Sequence, residues 1–182
     1  MIARVTRPVA LVGLPGAGKS TVGPRLASRL KGEFIDLDAR VEARAGATVA
    51  RLFAQRGERE FRRLEVAELA AAIDSSPALI ACGGGIVETV AGLELLRGGC
   101  RVVWLEVAPD EAALRLGAGA AGRPLLEGAT PAARLGDLLA RRAAAYAEVA
   151  HARVSTDGLD LDQVAARVAL ALERLADHEG AA

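Results

Sequence analysis

Residues 13–20 read Gly13-Leu14-Pro15-Gly16-Ala17-Gly18-Lys19-Ser20, a G-x-x-x-x-G-K-S run that follows the apolar stretch Val9–Val12 and opens a helical pattern. Strand, glycine-rich loop and helix in that order are what a phosphate cradle needs. Successive backbone N–H groups turn inward onto phosphate oxygens, and the positive end of the following helix adds to their pull. Gly13, Gly16 and Gly18 permit unusual φ values and close approach. Lys19 is placed to neutralise β- and γ-phosphates, and the Ser20 hydroxyl to ligate Mg²⁺. A glycine-rich turn that matches by chance is the competing reading. Of the 23 basic residues only Lys19 and Lys31 are lysine. A chain so biased to arginine keeps a compact ammonium where a planar guanidinium is a poor replacement.

Other candidates are less specific on their own. Asp36 and Asp38 sit near the end of an expected strand as Asp-x-Asp. If the strand continues, both carboxylates face one side. There they suit holding Mg²⁺ through water, or orienting an acceptor hydroxyl and taking its proton. Asp38 also fits a plain helix N-cap. Arg62 and Glu65, at i and i+3, read equally well as a routine surface pair. Gly83-Gly84-Gly85 after a strand suggests a ligand close to the main chain, or a tight turn. Arg123 follows the low-complexity run Gly117–Gly122, and such a loop could close over phosphates. Arg115 is a candidate for stacking on a base. Arg142 and Tyr146 are i, i+4 neighbours, compatible with a surface pair. His151 and His178 have no partner pattern and are expected to be bystanders. Trp104 and the two cysteines, Cys82 and Cys100, are expected in the core.

The elements that must position these groups alternate strand and helix. Strands are expected at 9–12, 33–36, 78–81, 101–107 and 153–156. Helices are expected at 19–31, 39–45, 48–55, 58–73, 89–96, 110–116, 131–149 and 161–175, with Thr48 and Thr130 as helix starts and Gly57 as a break. Residues 177–182 are expected to fray. This alternation implies an α/β fold whose parallel sheet is covered on both faces.

At 182 residues the chain reads as one domain. The hydrophobic fraction is 52%, but 40 of the residues are alanine, which signals helix rather than membrane. No stretch approaches the ~18 apolar residues of a span, and no signal peptide is evident. A cytoplasmic protein, taken as monomeric, is expected. Formal net charge is zero, with 23 residues of each sign, which argues against a nucleic-acid surface. No Asn occurs anywhere, so the Asn-Lys-x-Asp base-reading motif of a GTPase and the catalytic-loop Asn of a protein kinase are both impossible here.

Taken together, GLPGAGKST at 13–21, FIDLD at 34–38, GEREFRRLE at 57–65, CGGG at 82–85, RPLL at 123–126 and R-x-x-x-Y at 142–146 resemble the shikimate kinase family. The likeness covers roughly Pro8 to Ala150. It implies a P-loop kinase fold similar to that of nucleoside monophosphate kinases, with a five-stranded parallel sheet flanked by helices, a substrate-binding region at about 37–65 and a mobile lid at about 116–127. It implies ATP as donor, shikimate as acceptor and Mg²⁺ as cofactor. Gly13, Gly16, Ala17, Gly18, Lys19, Ser20, Thr21, Arg115 and Arg123 would bind nucleotide. Asp38, Lys19 and Arg123 would be catalytic. Asp38, Arg62, Gly83, Gly84, Gly85 and Arg142 would bind the acceptor, with Glu65 orienting Arg62. Ser20 and, through water, Asp36 would hold the metal. Two departures stand out: Cys82 where the family often has Thr, and Asp157-Gly158-Leu159-Asp160 without the proline often found in the adenine loop. Another small-molecule kinase of the same fold, for gluconate or a nucleoside monophosphate, is the second reading.

Overall fold

A computed structural model describes residues 7–75, 78–117 and 130–180, and for 178–180 the backbone alone. Five strands form one parallel sheet: β1 (Val9–Val12), β2 (Glu33–Asp36), β3 (Ala78–Ala81), β4 (Arg101–Glu106) and β5 (Ala152–Ser155), ordered β2-β3-β1-β4-β5. The three inner strands are apolar runs buried almost throughout, as a sheet covered on both faces demands. The edge strands β2 and β5 are only intermittently buried.

Successive residues of β1 point to opposite faces and so belong to different cores. Val9 and Leu11 pack with α1 (Lys19–Leu30) and α7 (Leu161–Gly180), whereas Ala10 and Val12 pack with Leu69, Leu96 and Tyr146 on the other face. Those last three residues come from α3 (Val49–Ser75), α4 (Val90–Gly99) and α6 (Pro131–Val149). A small third cluster, Val41, Leu52, Phe61 and Leu64, fastens α2 (Leu37–Ala45) to α3. The remaining helix is α5 (Pro109–Leu116).

Local signals explain the boundaries. Thr48, Thr89 and Thr130 accept hydrogen bonds from Arg51, Gly92 and Ala133 N–H groups at three helix starts. Residues 49–75 run as one element, but Gly57 breaks the helical path with φ 77° and ψ 167°. The two expected helices therefore meet at a kink rather than across a loop. α7 is helical to Gly180. Cys82 and Cys100 are buried free thiols, and Trp104 is in the core against Tyr146 with ring centroids 5.5 Å apart. His151 is not idle: its Nδ1 accepts a hydrogen bond from Val102 N at 3.1 Å, where β4 meets the start of β5. Among the described residues no helix is long and apolar enough to cross a membrane.

Candidate active site

The glycine loop leaves β1 and enters α1 with Gly13, Gly16 and Gly18 at φ 141°, 84° and 91°. Space is as restrictive as conformation. A Cβ on Gly13 would lie 2.4 Å from the Leu105 carbonyl oxygen, and one on Gly16 would lie 2.6 Å from that of Ala112. The loop is thus pressed against β4 and α5. α1 has no side-chain cap and no acidic residue in its first turn. Its N-terminal dipole faces outward uncompensated, as an anion site requires. Lys19 Nζ donates to the Gly13 and Leu14 carbonyls at 2.8 and 2.9 Å, which folds the ammonium back over the loop.

A cavity of about 320 Å³ opens in front of this loop. Gly16, Ala17, Gly18, Lys19, Ser20 and Thr21 line one side, Asp36 and Asp38 another, and Arg115 the far end. β2 stops at Asp36, as expected, so strand alternation is not what brings Asp36 and Asp38 to one side. Asp36 itself caps α2, its Oδ1 accepting from Ala39 N at 3.3 Å, and Asp38 lies in the first helical turn. The helix-capping alternative raised for Asp38 is thus filled by Asp36. Both carboxylates still reach the same cavity, because strand end and first turn fold around it.

Beyond Asp38 the wall is made of ion pairs. Arg62 and Arg142, which could have been surface residues, are only 8% and 2% exposed. Arg62 Nη1 donates to Glu65 Oε2 at 2.7 Å and Nη2 to Glu58 Oε1 at 3.0 Å. Arg142 Nη2 donates to Glu88 Oε2 at 2.7 Å, and Arg62 Nη2 approaches the same oxygen at 3.4 Å. Burial, only partly offset by Arg62, pushes the Glu65 carboxyl up to about 6. Burial also works to raise Glu88, but the hydrogen bond and charge of Arg142, with Arg62 and Arg141 adding theirs, hold it below the usual carboxylate range. Arg62 is pushed upward: burial opposes its charge, and the Glu65 and Glu58 carboxylates outweigh burial. The Nε atoms of Arg62 and Arg142 and Oε1 of Glu65 are buried without a hydrogen-bond partner among the described residues. Such groups are costly unless something else meets them.

The triple glycine is explained by these neighbours. A Cβ on Gly83 would sit 2.0 Å from Glu65 Oε1, and one on Gly85 would sit 2.0 Å from Arg62 Nη2. A Cβ on Gly84 would meet the Gly13 carbonyl at 3.1 Å and Arg142 Nη1 at 3.3 Å. None of the three needs a positive φ. The requirement is room for three walls at once, not backbone freedom. Tyr146 does not lie on the surface beside Arg142; it is fully buried and its hydroxyl donates to the Gly84 carbonyl.

At the other end, Arg115 is held by Glu111 Oε1, Thr156 Oγ1 and the Thr156 carbonyl at 3.0, 2.8 and 2.6 Å. It faces Leu159, Leu161 and Val164 around the cavity mouth. The loop that lacks a proline has a substitute. Asp160 Oδ1 accepts from Gln163 N at 2.8 Å while Gln163 Oε1 accepts from Asp160 N at 3.0 Å, a reciprocal helix cap. Asp157 adds a tie to Ala108 N at 3.0 Å. Arg123 and the lid from 118 onward lie outside the described residues.

Sequence reasoning gave no role to Glu58 and did not mention Glu88. Glu58 had a detectable signal, the i, i+4 spacing to Arg62. Glu88 had none, since its partners are 26 and 54 residues away.

A parallel sheet with a phosphate loop after its first strand and a carboxylate-and-guanidinium wall opposite defines a P-loop kinase. The chain belongs to the shikimate kinase family, whose family model, "Shikimate kinase", matches residues 15–173. A shikimate kinase of Symbiobacterium thermophilum is 44% identical over 161 residues, covering 88% of this chain and 92% of that protein. The structure of the Acinetobacter baumannii shikimate kinase in complex with shikimate superposes with a TM-score of 0.88 at 33% identity, covering 96% of each chain. A gluconokinase from Sinorhizobium meliloti shares the fold, with a TM-score of 0.62 at 18% identity, covering 97% of each chain.

Proposed function

We propose that this chain transfers the γ-phosphoryl group of ATP to the 3-hydroxyl of shikimate, giving shikimate 3-phosphate and ADP. One observation carries the reading: Gly84 has the phosphate loop's Gly13 carbonyl on one side and the Arg142 guanidinium on the other. The phosphate loop and the guanidinium wall thus border the same residue, which supports a donor phosphate and an anionic acceptor meeting there.

In this reading Arg62 and Arg142 hold the acceptor carboxylate, a task suited to planar guanidinium, and Glu65 orients Arg62. Gly83, Gly84 and Gly85 leave room for the ring. Asp38 accepts the proton of the 3-hydroxyl as its oxygen bonds to the γ-phosphorus and the bond to the bridging β–γ oxygen breaks. Lys19 neutralises the phosphates. Arg115 lies beside the base, and Arg123 reaches the phosphates from the lid. Positioning and charge neutralisation, rather than covalent chemistry, supply most of the acceleration. Ser20 and Asp36, hard oxygen donors on one cavity, fit Mg²⁺, with Asp36 acting through water. Among the described residues no cluster of three or more His, Cys, Asp or Glu could cage an ion, consistent with one carried largely by phosphate and water. Bound there, Mg²⁺ would neutralise charge on the phosphates. ATP use and the free buried thiols support a reducing, cytoplasmic setting, and we take the working form as a monomer.

A coupled ADP-release assay with shikimate, gluconate and nucleoside monophosphates, with and without Mg²⁺, tests this. Release should require shikimate and Mg²⁺. Equal release with gluconate or a nucleotide would move the chain to the alternative kinase class.

A further inference from the structure

We infer that Glu88 is a built-in carboxylate that occupies the acceptor's anion clamp in the ligand-free protein and must yield it when the acceptor binds. The inference rests on the reading of Arg62 and Arg142 as that clamp. Glu88 follows the triple glycine on a short 3-10 turn, Ile86–Glu88, and its carboxylate reaches back to bridge α3 and α6. One oxygen, Oε2, lies 2.7 Å from Arg142 Nη2 and 3.4 Å from Arg62 Nη2. This is how an incoming carboxylate would be gripped.

Charge counting supports displacement over coexistence. The buried wall holds two guanidiniums, Arg62 and Arg142. Three carboxylates already contact them: Glu58, Glu65 and Glu88. Asp38 is close by, 3.1 Å from the Cβ position of Gly83. A further carboxylate would add like charge to a half-desolvated, acid-rich cluster. Removing Glu88 from the guanidiniums as the acceptor arrives leaves the charge unchanged. Glu88 is the member able to leave. Its side chain is 31% exposed, whereas that of Glu65 is fully buried. Glu58, 48% exposed, is tied to Arg62 within its own helix and does not touch Arg142. In this arrangement Glu88 keeps the two clamp arginines preassembled, and the acceptor's apparent affinity is reduced by the fraction of time the clamp is taken.

Thermal unfolding of wild type and Glu88→Gln, each with and without shikimate, tests the idea alongside steady-state kinetics. Glutamine keeps the length and an acceptor oxygen but not the charge. The variant should melt lower without ligand, show a larger shikimate-induced rise in Tm, and have a shikimate KM lowered roughly tenfold with an unchanged KM for ATP. A lower ligand-free Tm with an equal or smaller shikimate shift, or a raised KM, would make Glu88 a structural strut and overturn the inference. Glu88→Asp keeps the charge but draws it back from the bridge. Its shikimate affinity should lie between wild type and Gln, and an affinity equal to or weaker than wild type would count against the proposal even if Gln fails to fold. A wild type whose Tm ignores shikimate, and which releases no ADP with it, would sink the acceptor assignment instead.

Discussion

The phosphate loop and the acceptor wall meet at Gly84, yet they are built in different ways. The loop is one contiguous stretch, fixed by three positive-φ glycines and by contact with β4 and α5, and in the proposed reading it binds mainly through backbone N–H. Its single charged side chain, Lys19, rests on the loop's own carbonyls. The wall draws on α2, α3, the 3-10 turn and α6, and its groups are charged side chains that reach one another only when those elements pack. Local geometry makes the first site. Tertiary packing, at the cost of desolvating several charges, makes the second. Damage to the loop should therefore abolish chemistry without disturbing the wall, while damage to the wall should fall on acceptor affinity and on stability together.

Lys19→Ala is the most severe test of that separation. It should lower turnover on the order of 10²–10³-fold, while the shikimate-induced Tm shift measured without nucleotide persists. Loss of that shift would mean the two regions are one coupled unit. Arg62→Ala comes next. The KM for shikimate should rise roughly 10²-fold with KM for ATP within about twofold, the size expected when one partner of a buried charge pair is cut away. Tm should fall as well, because Glu65 would remain buried without its cation. Equal changes in both KM values would erase the distinction between the regions. Gly85→Ala is milder and more pointed. Its methyl would enter the Arg62 guanidinium and should raise shikimate KM about tenfold, a shift typical of overpacking. Gly136→Ala in α6, with nothing among the described residues within 4 Å of the added methyl, is the control and should be neutral or stabilising by about 0.5–1 kcal/mol.

The same contrast decides what the sequence disclosed. The strand order is not written in any single segment, but all five strands and the phosphate loop are, because each depends on its own apolar run or glycine spacing. Arg62, Glu65 and Arg142 taken singly read as well as surface pairs as ligands. Only the company of the other motifs, as a family pattern, singled them out, and the structure shows them buried together. The triple glycine was visible, but its cause was not, since the atoms that exclude a Cβ belong to Glu65, Arg142 and Arg62. Asp36 rather than Asp38 caps α2 because the helix begins at Leu37, two residues before the expected start, and a helix start is not fixed by propensity alone. Glu88 was invisible for the plainest reason: its partners are distant along the chain and carry no mutual spacing.

The last test concerns Glu65, and it separates the wall from the loop by pH. In the folded protein burial lifts this carboxyl from 4.5 to about 6. The folded state thus holds the Glu65 proton more tightly than the unfolded chain does. The stabilising contribution is complete below about pH 4.5 and is lost as pH rises through about 6. Across that window the stability difference between wild type and Glu65→Gln, followed by urea unfolding, should change on the order of 2 kcal/mol, with wild type losing ground as pH rises. Binding moves the opposite way. Below about pH 6 a protonated Glu65 grips Arg62 less firmly, so the shikimate KM of wild type should rise a few-fold toward acid, while the Gln variant's profile stays flat. The KM for ATP should show no Glu65-dependent step in either protein, because the loop proposed to receive the nucleotide owes its shape to main-chain geometry rather than to that carboxylate. A Glu65-dependent step of the same size in both KM values would show that the carboxylate acts on the whole cavity, and the division between loop and wall would have to be given up.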